Sequence, residues 1–166
     1  ACPRKVDSGF RVRACDKDGA ASCFRSTPSS RISLTALTSA TKSFVATPAD
    51  LASEVAGYYT LSAASVAAEK LPESLRKKLP RYPVPAALLG RLAVGELAQG
   101  QGLGSILLVD ACKRVAAASQ TLAVAAIIVD AKSPTAAAFY KHFGFVELPG
   151  QPGRWMLPRS HFAQAL

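Results

Sequence analysis

The spacing of apolar and polar residues predicts a β-sheet that begins near residue 43. Ser43–Thr47 and Glu54–Ser65 contain the aromatic and β-branched residues that favour strands. The intervening segment, Pro48–Ala52, can form a hairpin connection. Leu88–Val94 is a third candidate strand, in which successive side chains alternate between two faces.

A basic helix and a stiff connector separate the second and third candidate strands. Glu69–Leu79 has the composition of a short helix and carries its cationic residues near one end. Three prolines follow, at Pro80, Pro83 and Pro85. Because proline fixes φ and lacks a backbone donor, they predict an extended segment in place of a longer helix.

The second half of the chain predicts two helices around a buried strand. A glycine-rich turn at Gln99–Gly104 precedes a helix to about Ser119, whose apolar residues recur at helical spacing. Leu122–Val129 is a continuous apolar run, typical of a strand covered on both faces. Ser133 is a suitable N-cap for the next helix, which Gly144 ends.

Two further short strands, Phe145–Leu148 and Arg154–Leu157, close the pattern. Strand, glycine turn, helix, strand and helix together form a βαβα unit. With hairpin strands before it and short strands after it, this unit predicts an α/β fold (α+β, mixed) with a central mixed, twisted sheet flanked by helices.

Residues 1–42 have a different character from the remainder. Half of the positions from Ser22 to Ser43 are Ser or Thr, and Pro28 interrupts any period. A short helix around Ile32–Ala40 has only weak support. We interpret residues 1–42 as an arm or loosely attached first layer, and residues 43–166 as the folded domain.

Composition and charge narrow the class of protein. The chain has 166 residues, 49% of them apolar and 19% charged, which fits one folded domain and excludes a wholly disordered chain. Lys and Arg total 20 against 11 Asp and Glu, a formal net charge of +9. This excess favours a polyanionic partner such as nucleic acid, although a solvated basic surface without a special partner is equally compatible.

Cysteine and histidine usage indicates no metal site. The four cysteines include no C-x-x-C pair, and the two histidines are isolated. No apolar run is long enough for a transmembrane helix, and no signal-peptide pattern is present. We expect a cytoplasmic protein with free thiols, no metal and no membrane contact.

The glycine turn is the first candidate binding site, because glycines at a helix start can present backbone N–H groups to phosphate. A Walker A loop would need a lysine, but Ser105 follows Gly104. A dinucleotide fingerprint would need G-x-G-x-x-G, whereas the spacing here is G-x-G-x-G. An acyl-CoA site and a purely structural tight turn are the remaining interpretations.

Two segments carry a family resemblance. Gln99-Gly100-Gln101-Gly102-Leu103-Gly104 resembles the Q/R-x-x-G-x-G/A signature of the GNAT superfamily of acyl-CoA N-acyltransferases. Ala138–Phe145 resembles the A-x-x-F-Y-x-x-x-G-F segment of the same family. The order and spacing of the two segments also fit. The resemblance implies a GNAT fold that uses acetyl-CoA.

Four further stretches resemble the GNAT toxins of type II toxin–antitoxin modules more closely. They are Gly57–Ser62, Leu75–Pro85, Leu89–Val94 and Val129–Ala131. The resemblance extends over roughly Phe44 to Pro158. It leaves out the N-terminus, where the Phe-x-Cys-Gly segment and amphipathic helical pair of the family are absent from the sequence.

The resemblance implies a function and partners. Such toxins acetylate the amino group of the amino acid on charged tRNA, and a ribbon-helix-helix antitoxin holds them in check. The resemblance also implies a homodimer. Two alternatives remain open: a GNAT enzyme for a small amine or a protein N-terminus, and an inactive acyl-CoA-binding or RNA-binding homologue.

The resemblance also implies which residues hold acetyl-CoA. The pyrophosphate would lie on backbone N–H groups of the glycine turn, and the pantetheine would pair with Leu92–Val94 like an added strand. The candidate acetyl-CoA-binding residues are Leu92, Ala93, Val94, Gln99, Gly100, Gln101, Gly102, Leu103, Gly104, Ser105 and Phe139.

Tyr140 is the candidate catalytic residue. A phenol with a pKa near ~10 is protonated at neutral pH and can donate a proton to a leaving thiolate. The alternative is a core aromatic, because Tyr140 lies among phenylalanines on a helix. No general base stands out. An α-amine, with a pKa of about 7.7–8.0, needs less help than a lysine near ~10.4, which mildly favours an α-amine acceptor.

A basic segment is the candidate tRNA surface. From Glu69 to Arg91 the sequence has six cations against two acids, Glu69 and Glu73. Phosphate contacts from such a cluster would weaken with salt, and a solvated helix face is the alternative. The candidate tRNA-binding residues are Arg76, Lys77, Lys78, Arg81 and Arg91.

Overall fold

A computed structural model describes residues 10–15, 40–48, 54–71, 73–76 and 82–162. The strands are β1 (Phe10–Cys15), β2 (Thr41–Pro48), β3 (Gly57–Val66), β4 (Val84–Val94), β5 (Ala126–Asp130), β6 (Val146–Glu147) and β7 (Arg154–Pro158). The α-helices are α1 (Glu73–Arg76), α2 (Leu103–Ala118), α3 (Pro134–His142) and α4 (Arg159–Phe162). Single 3-10 turns occupy Ala68–Lys70 and Glu96–Ala98.

The strands form a sheet in the order β1-β2-β3-β4-β5-β7-β6. β4 and β5 are parallel, with a register from Ala86↔Ala126 to Leu89↔Val129. The pairs β1–β2, β5–β7 and β6–β7 are antiparallel. The predicted mixed α/β fold is therefore confirmed, because the sheet contains both antiparallel pairs and a parallel pair joined through a helix.

The chain divides into two compact units, Ala1–Leu61 with Arg91–Asp110 and Ser62–Gly90 with Ala111–Leu166. In the first unit, the ring of the fully buried Tyr59 stacks on Phe44, with 4.9 Å between ring centroids.

Gly57 allows a close approach between β3 and its neighbours in the first unit. A Cβ there would lie 2.8 Å from the carbonyl oxygen of Ala93 and 3.0 Å from a methyl group of Leu107. No real Cβ tolerates such contacts, so the start of β3 depends on glycine for its close approach to β4 and α2.

The second unit has a core on one face of its strands. Buried aliphatic residues from β3, β4, β5 and β7 pack there with residues from two connecting segments. The members of this core are Val66, Leu71, Val84, Ala86, Ala126, Ile128, Leu148 and Met156.

The helices of the βαβα unit are confirmed. α2 follows the glycine turn and ends one residue before Ser119. The N-cap predicted for α3 is present, since the Ser133 hydroxyl accepts the Ala136 N–H at 3.1 Å and Pro134 begins the helix.

The single helix predicted over Glu69–Leu79 is wrong. The structure has a 3-10 turn at Ala68–Lys70 and a separate short helix, α1, which ends at Arg76. Leu71 between them is extended, with φ −84° and ψ 148°. Because Leu71 precedes a proline in the sequence, its α conformation is disfavoured and the helix cannot continue through it.

The predicted starts of two strands are also wrong. β5 was predicted from Leu122 but begins at Ala126. Leu122 is exposed, and its N–H bonds to the Ala118 carbonyl at 2.9 Å in the turn that follows α2. β4 begins at Val84 and includes Pro85, whose carbonyl accepts the Ala125 N–H at 2.9 Å. Proline lacks a backbone N–H but keeps its carbonyl oxygen as an acceptor. Pro85 can therefore belong to β4 and accept a hydrogen bond from the segment before β5.

β1 was not predicted. It pairs in antiparallel register with β2, from Phe10↔Pro48 to Cys15↔Ser43. Residues 32–39 of the weakly supported helix, and residues 49–52 of the hairpin connection, lie outside the described residues. Among the helices that the structure describes, none is long and apolar enough to cross a bilayer.

Candidate active site

The end of β4 extends beyond its pairing with β5. The register with β5 ends at Leu89, yet β4 continues to Val94. The Gly95 N–H bonds to the Ala56 carbonyl at 2.8 Å, so alternate residues of this segment face β3. The backbone groups of the residues between them, Leu92 and Val94, therefore point to the opposite edge.

The glycine turn follows the 3-10 turn Glu96–Ala98. Gly100 and Gly102 have φ of 75° and 78°, the left-handed region in which glycine is favoured. A Cβ at either position would meet no heavy atom within 4 Å. The glycines are thus needed for the backbone conformation, and the space beside them is open to a ligand.

Two glutamine side chains stabilise the turn from within. The Gln99 side-chain amide donates to the Val94 carbonyl at 3.3 Å, and that of Gln101 donates to the Leu97 carbonyl at 2.9 Å. Because these amides already bond to the chain, Gln99 and Gln101 would contact a ligand chiefly through their backbone.

The start of α2 provides hydrogen-bond donors. The Gly102 carbonyl accepts the N–H groups of Ser105 at 3.0 Å and Ile106 at 3.2 Å, which makes Gly102 the N-cap. The N–H groups of Leu103 and Gly104 precede the first helical bonds and are available to an anion. The Ser105 N–H is already used, which weakens the case for Ser105 as a backbone ligand.

Tyr140 belongs to a Schellman motif at the end of α3. The Gly144 N–H bonds to the Lys141 carbonyl at 3.0 Å, and the Phe145 N–H bonds to the Tyr140 carbonyl at 3.2 Å. Gly144 has φ of 85°, and the Tyr140 and Phe145 rings lie 5.4 Å apart. The F-Y-x-x-x-G-F pattern is therefore a helix terminator that fixes Tyr140.

The surroundings of Tyr140 keep its hydroxyl protonated. The side chain is 8% exposed, and the Phe139 ring contacts it edge-on at 5.4 Å. Burial raises the pKa of Tyr140 above its usual value, because the phenolate would lose hydration. Tyr140 thus has properties of both interpretations: it packs as a core aromatic and retains a proton to donate.

The basic residues are only partly described. Arg76 ends α1 and Arg91 lies on β4, and both are exposed. The Arg91 backbone N–H bonds to the Thr60 hydroxyl oxygen at 3.0 Å. Lys77, Lys78 and Arg81 lie outside the described residues. Within the described part of the chain, no cluster of His, Cys, Asp and Glu could hold a metal ion.

Sequence reasoning missed two polar pairs. The buried Tyr59 hydroxyl donates to the Asp110 carboxylate on α2. Arg154 forms a forked ion pair with Asp130, at 2.8 and 3.2 Å. Asp130 and Arg154 are directly opposite in the β5–β7 register, so only knowledge of that register could have predicted the pair.

The glycine turn at the start of α2 and, separately, the segment that ends α3 at Tyr140 are the two features that resemble acyl-CoA N-acyltransferases. Residues 44–147 match the Acetyltransferase (GNAT) domain family, and the chain belongs to that family. The membership predicted from the two sequence segments is confirmed.

Several relatives are toxins. The chain is 45% identical over 103 residues to the tRNA-acetylating toxin of Mycobacterium tuberculosis, covering 62% of this chain and 61% of the relative. A Probable toxin TacT from Sinorhizobium fredii is 29% identical over 112 residues, covering 63% and 62%. The chain thus spans about three fifths of the length of these relatives.

Solved toxin structures are also similar. AtaT complexed with acetyl-methionyl-tRNAfMet matches with a TM-score of 0.70 at 31% identity, covering 74% of this chain and 73% of that one. An AtaT mutant bound to acetyl-CoA and the C-terminus of the antitoxin AtaR matches with a TM-score of 0.62 at 26% identity, covering 75% and 70%.

Proposed function

We propose that this chain transfers acetyl from acetyl-CoA to the amino group of the amino acid on charged tRNA, and that it acts as the toxin of a type II toxin–antitoxin module. The observation that carries the proposal is the open glycine turn at the start of α2. The similarity to a tRNA-acetylating toxin and to tRNA-bound AtaT supports the choice of acceptor.

The described residues of the first unit suit the two ends of acetyl-CoA. Gly100 and Gly102 leave room beside the backbone, and the N–H groups of Leu103 and Gly104 can bind phosphate oxygens. The outward backbone groups of Leu92 and the outward N–H of Val94 can pair with the amides of a pantetheine chain, as an added strand would, while the Val94 carbonyl already accepts the Gln99 side chain. Acetyl-CoA supplies the activated acetyl thioester.

Tyr140 acts as the general acid of the proposed reaction. Its raised pKa keeps the hydroxyl protonated at neutral pH, so it can donate to a departing thiolate. The Schellman motif holds the Tyr140 backbone, and the Phe145 ring restricts its side chain. The Phe139 ring packs edge-on against Tyr140.

The proposed acceptor does not need a strong base. The α-amine of an amino acid has a pKa of about 7.7–8.0, so a substantial fraction is neutral at physiological pH. The cations Arg76, Lys77, Lys78, Arg81 and Arg91 would bind the tRNA phosphates, and their number favours a polyanion over a small amine.

The proposed partners follow from the same assignment. AtaT binds the C-terminus of its antitoxin, and we extend this to an antitoxin of the ribbon-helix-helix type for the present chain. We also propose a homodimer. An enzyme that acts on charged tRNA would work in the cytoplasm.

A competition between acceptors tests the proposal. The protein is incubated with labelled acetyl-CoA and an equimolar mixture of charged tRNA, a small primary amine and a peptide with a free N-terminus. Label on the amino acid released from tRNA supports the proposal. Label only on the amine or peptide identifies a different GNAT enzyme, and acetyl-CoA binding without transfer identifies an inactive homologue.

A further inference from the structure

The first four residues of β3 contact both parts of the proposed acetyl-CoA site. Gly57 approaches the Ala93 carbonyl on β4 and the Leu103 and Leu107 side chains on α2. Because Gly57 has no side chain, the β3 backbone packs directly on the β4 backbone and on two leucine side chains of α2. The position of β3 therefore sets the positions of the end of β4 and the start of α2.

Thr60 provides a specific link to β4. Its hydroxyl oxygen accepts the Arg91 backbone N–H at 3.0 Å. Arg91 directly precedes the residues proposed to pair with pantetheine, Leu92–Val94. A hydrogen bond at this position limits movement of the β4 end before a ligand arrives, which reduces the ordering needed on binding.

Tyr59 provides the corresponding link to α2. It is fully buried, and its hydroxyl donates to the partly buried carboxylate of Asp110. A hydrogen bond to a charged acceptor is stronger than a neutral one. Because α2 is one continuous helix from Leu103, restraint at Asp110 is transmitted along its axis to the N–H groups proposed to bind pyrophosphate.

We infer that Thr60 and Tyr59 are positioning residues that separately orient the pantetheine-binding strand and the pyrophosphate-binding helix. Neither residue takes part in the chemistry. The inference rests on the proposed use of acetyl-CoA. It predicts that the two hydroxyls affect different halves of the ligand.

Fragments of acetyl-CoA test this separation. Binding of acetyl-pantetheine, of 3′-phospho-ADP and of intact acetyl-CoA is measured by calorimetry for the native protein, Thr60→Val, Thr60→Ser and Tyr59→Phe. Valine has the shape of threonine without its hydroxyl, and serine restores that hydroxyl. Fluorescence of Trp155, the sole tryptophan, monitors folding in each variant.

Thr60→Val is expected to weaken acetyl-pantetheine binding roughly fivefold, as for one lost hydrogen bond, and to leave 3′-phospho-ADP binding unchanged. Thr60→Ser is expected to retain native binding of both fragments. Tyr59→Phe is expected to show the opposite selectivity, with weaker 3′-phospho-ADP binding.

Equal effects on both fragments, or no effect on either, would overturn the inference even if native acetyl-CoA binding is tight. Failure of the native protein to bind acetyl-CoA contradicts the proposed function instead. If Tyr59→Phe does not fold, the Thr60 variants decide alone, because Thr60 is only half-buried and valine preserves its shape.

Discussion

At the scale of single residues, burial controls the protonation of two side chains, Tyr140 and Cys112. Burial raises the pKa of the Tyr140 phenol, and it raises the pKa of the Cys112 thiol from 9.0 to about 11. Both groups are neutral when protonated and charged when deprotonated. Burial disfavours the charged form, so the folded state stabilises the protonated form of each side chain. Their contribution to stability is complete below the ordinary pKa values and declines as the pH rises through the raised ones.

Tyr140→Phe should separate binding from chemistry. The ring packing against Phe139 and Phe145 is preserved, whereas the proton donor is lost. We expect kcat to fall by about 100-fold or more, with the thermal midpoint and the acetyl-CoA dissociation constant little changed. Steady-state kinetics and calorimetry measure these quantities. Native turnover in Tyr140→Phe would remove Tyr140 from the mechanism.

Cys112 should resist alkylation in the folded protein. A thiol with a pKa about two units above normal has roughly 100-fold less thiolate at pH 8, and the thiolate is the reactive form. Peptide mapping after iodoacetamide treatment measures the rate at Cys112 itself. The urea-unfolded protein is the control, and similar rates in both states would contradict the assigned burial.

At the scale of elements, the end of α3 connects a sequence pattern to the position of the proposed general acid. Gly144 has a left-handed φ because the chain must reverse there, and Phe145 then packs on Tyr140. In the sequence, the spacing of Tyr140, Gly144 and Phe145 is only a family resemblance. The structure shows its physical cause, which is the turn that ends α3. The same motif that ends the helix also restrains the proposed general acid.

Gly144→Ala should reduce both stability and turnover. An L-residue in this conformation costs about 1–2 kcal/mol, although a Cβ there would meet only ordinary contacts, at 3.5 Å from His161 and 3.9 Å from Leu157. Gly150→Ala is the matched control, since Gly150 has φ of 69° in a loop with open space beside it. Urea denaturation should show similar losses of unfolding free energy in Gly144→Ala and Gly150→Ala. Steady-state kinetics should show a reduced kcat only in Gly144→Ala. Equal kcat values in the two variants would contradict the positioning role.

The elements also show what sequence could and could not predict. Helices α2 and α3 were predictable because caps, glycines and apolar spacing agree at Gly102, Ser133 and Gly144. The helix predicted through Leu71 failed because one proline outweighed helical composition over the whole segment. β1 was missed although Phe10–Cys15 alternates apolar residues with arginine, because one short alternating run with no neighbouring strand signal is weak evidence for a strand.

The sequence predicts the part of the candidate site that consists of backbone groups, which is the glycine turn. The glycine turn depends on conformation, which Gly100 and Gly102 reveal directly in the sequence. The link between Tyr59 and Asp110 joins residues far apart in the chain. Such a contact depends on how α2 packs on β3, and single-sequence spacing contains no information about that packing.

At the scale of the whole molecule, the proposed tRNA acceptor would account for the net charge of +9. The proposed acetyl-CoA contacts are mainly backbone N–H groups, which need no cationic side chains. Arg76 and Arg91 are both exposed. A protein that binds tRNA through such cations should show affinity that falls steeply with salt.

Charge reversal tests this assignment. Replacement of Arg76, Lys77 and Lys78 by Glu should weaken tRNA binding and reduce the salt slope by about 1 for each lost phosphate contact. The control replaces Lys42, Lys113 and Lys132, which are exposed elsewhere, and changes the formal charge by the same amount. Filter binding over a salt series measures both. Equal losses in the two variants would indicate a non-specific effect of net charge.

The most direct test of the whole account is the chemical identity of the product. Native protein and Tyr140→Phe are incubated with isotope-labelled acetyl-CoA and charged tRNA, and the 3′-terminal aminoacyl-adenosine is released by nuclease and analysed by mass spectrometry. The account predicts a labelled acetyl group on the α-amine with native protein and almost none with the variant. Unmodified aminoacyl-adenosine with native protein that binds acetyl-CoA would contradict it.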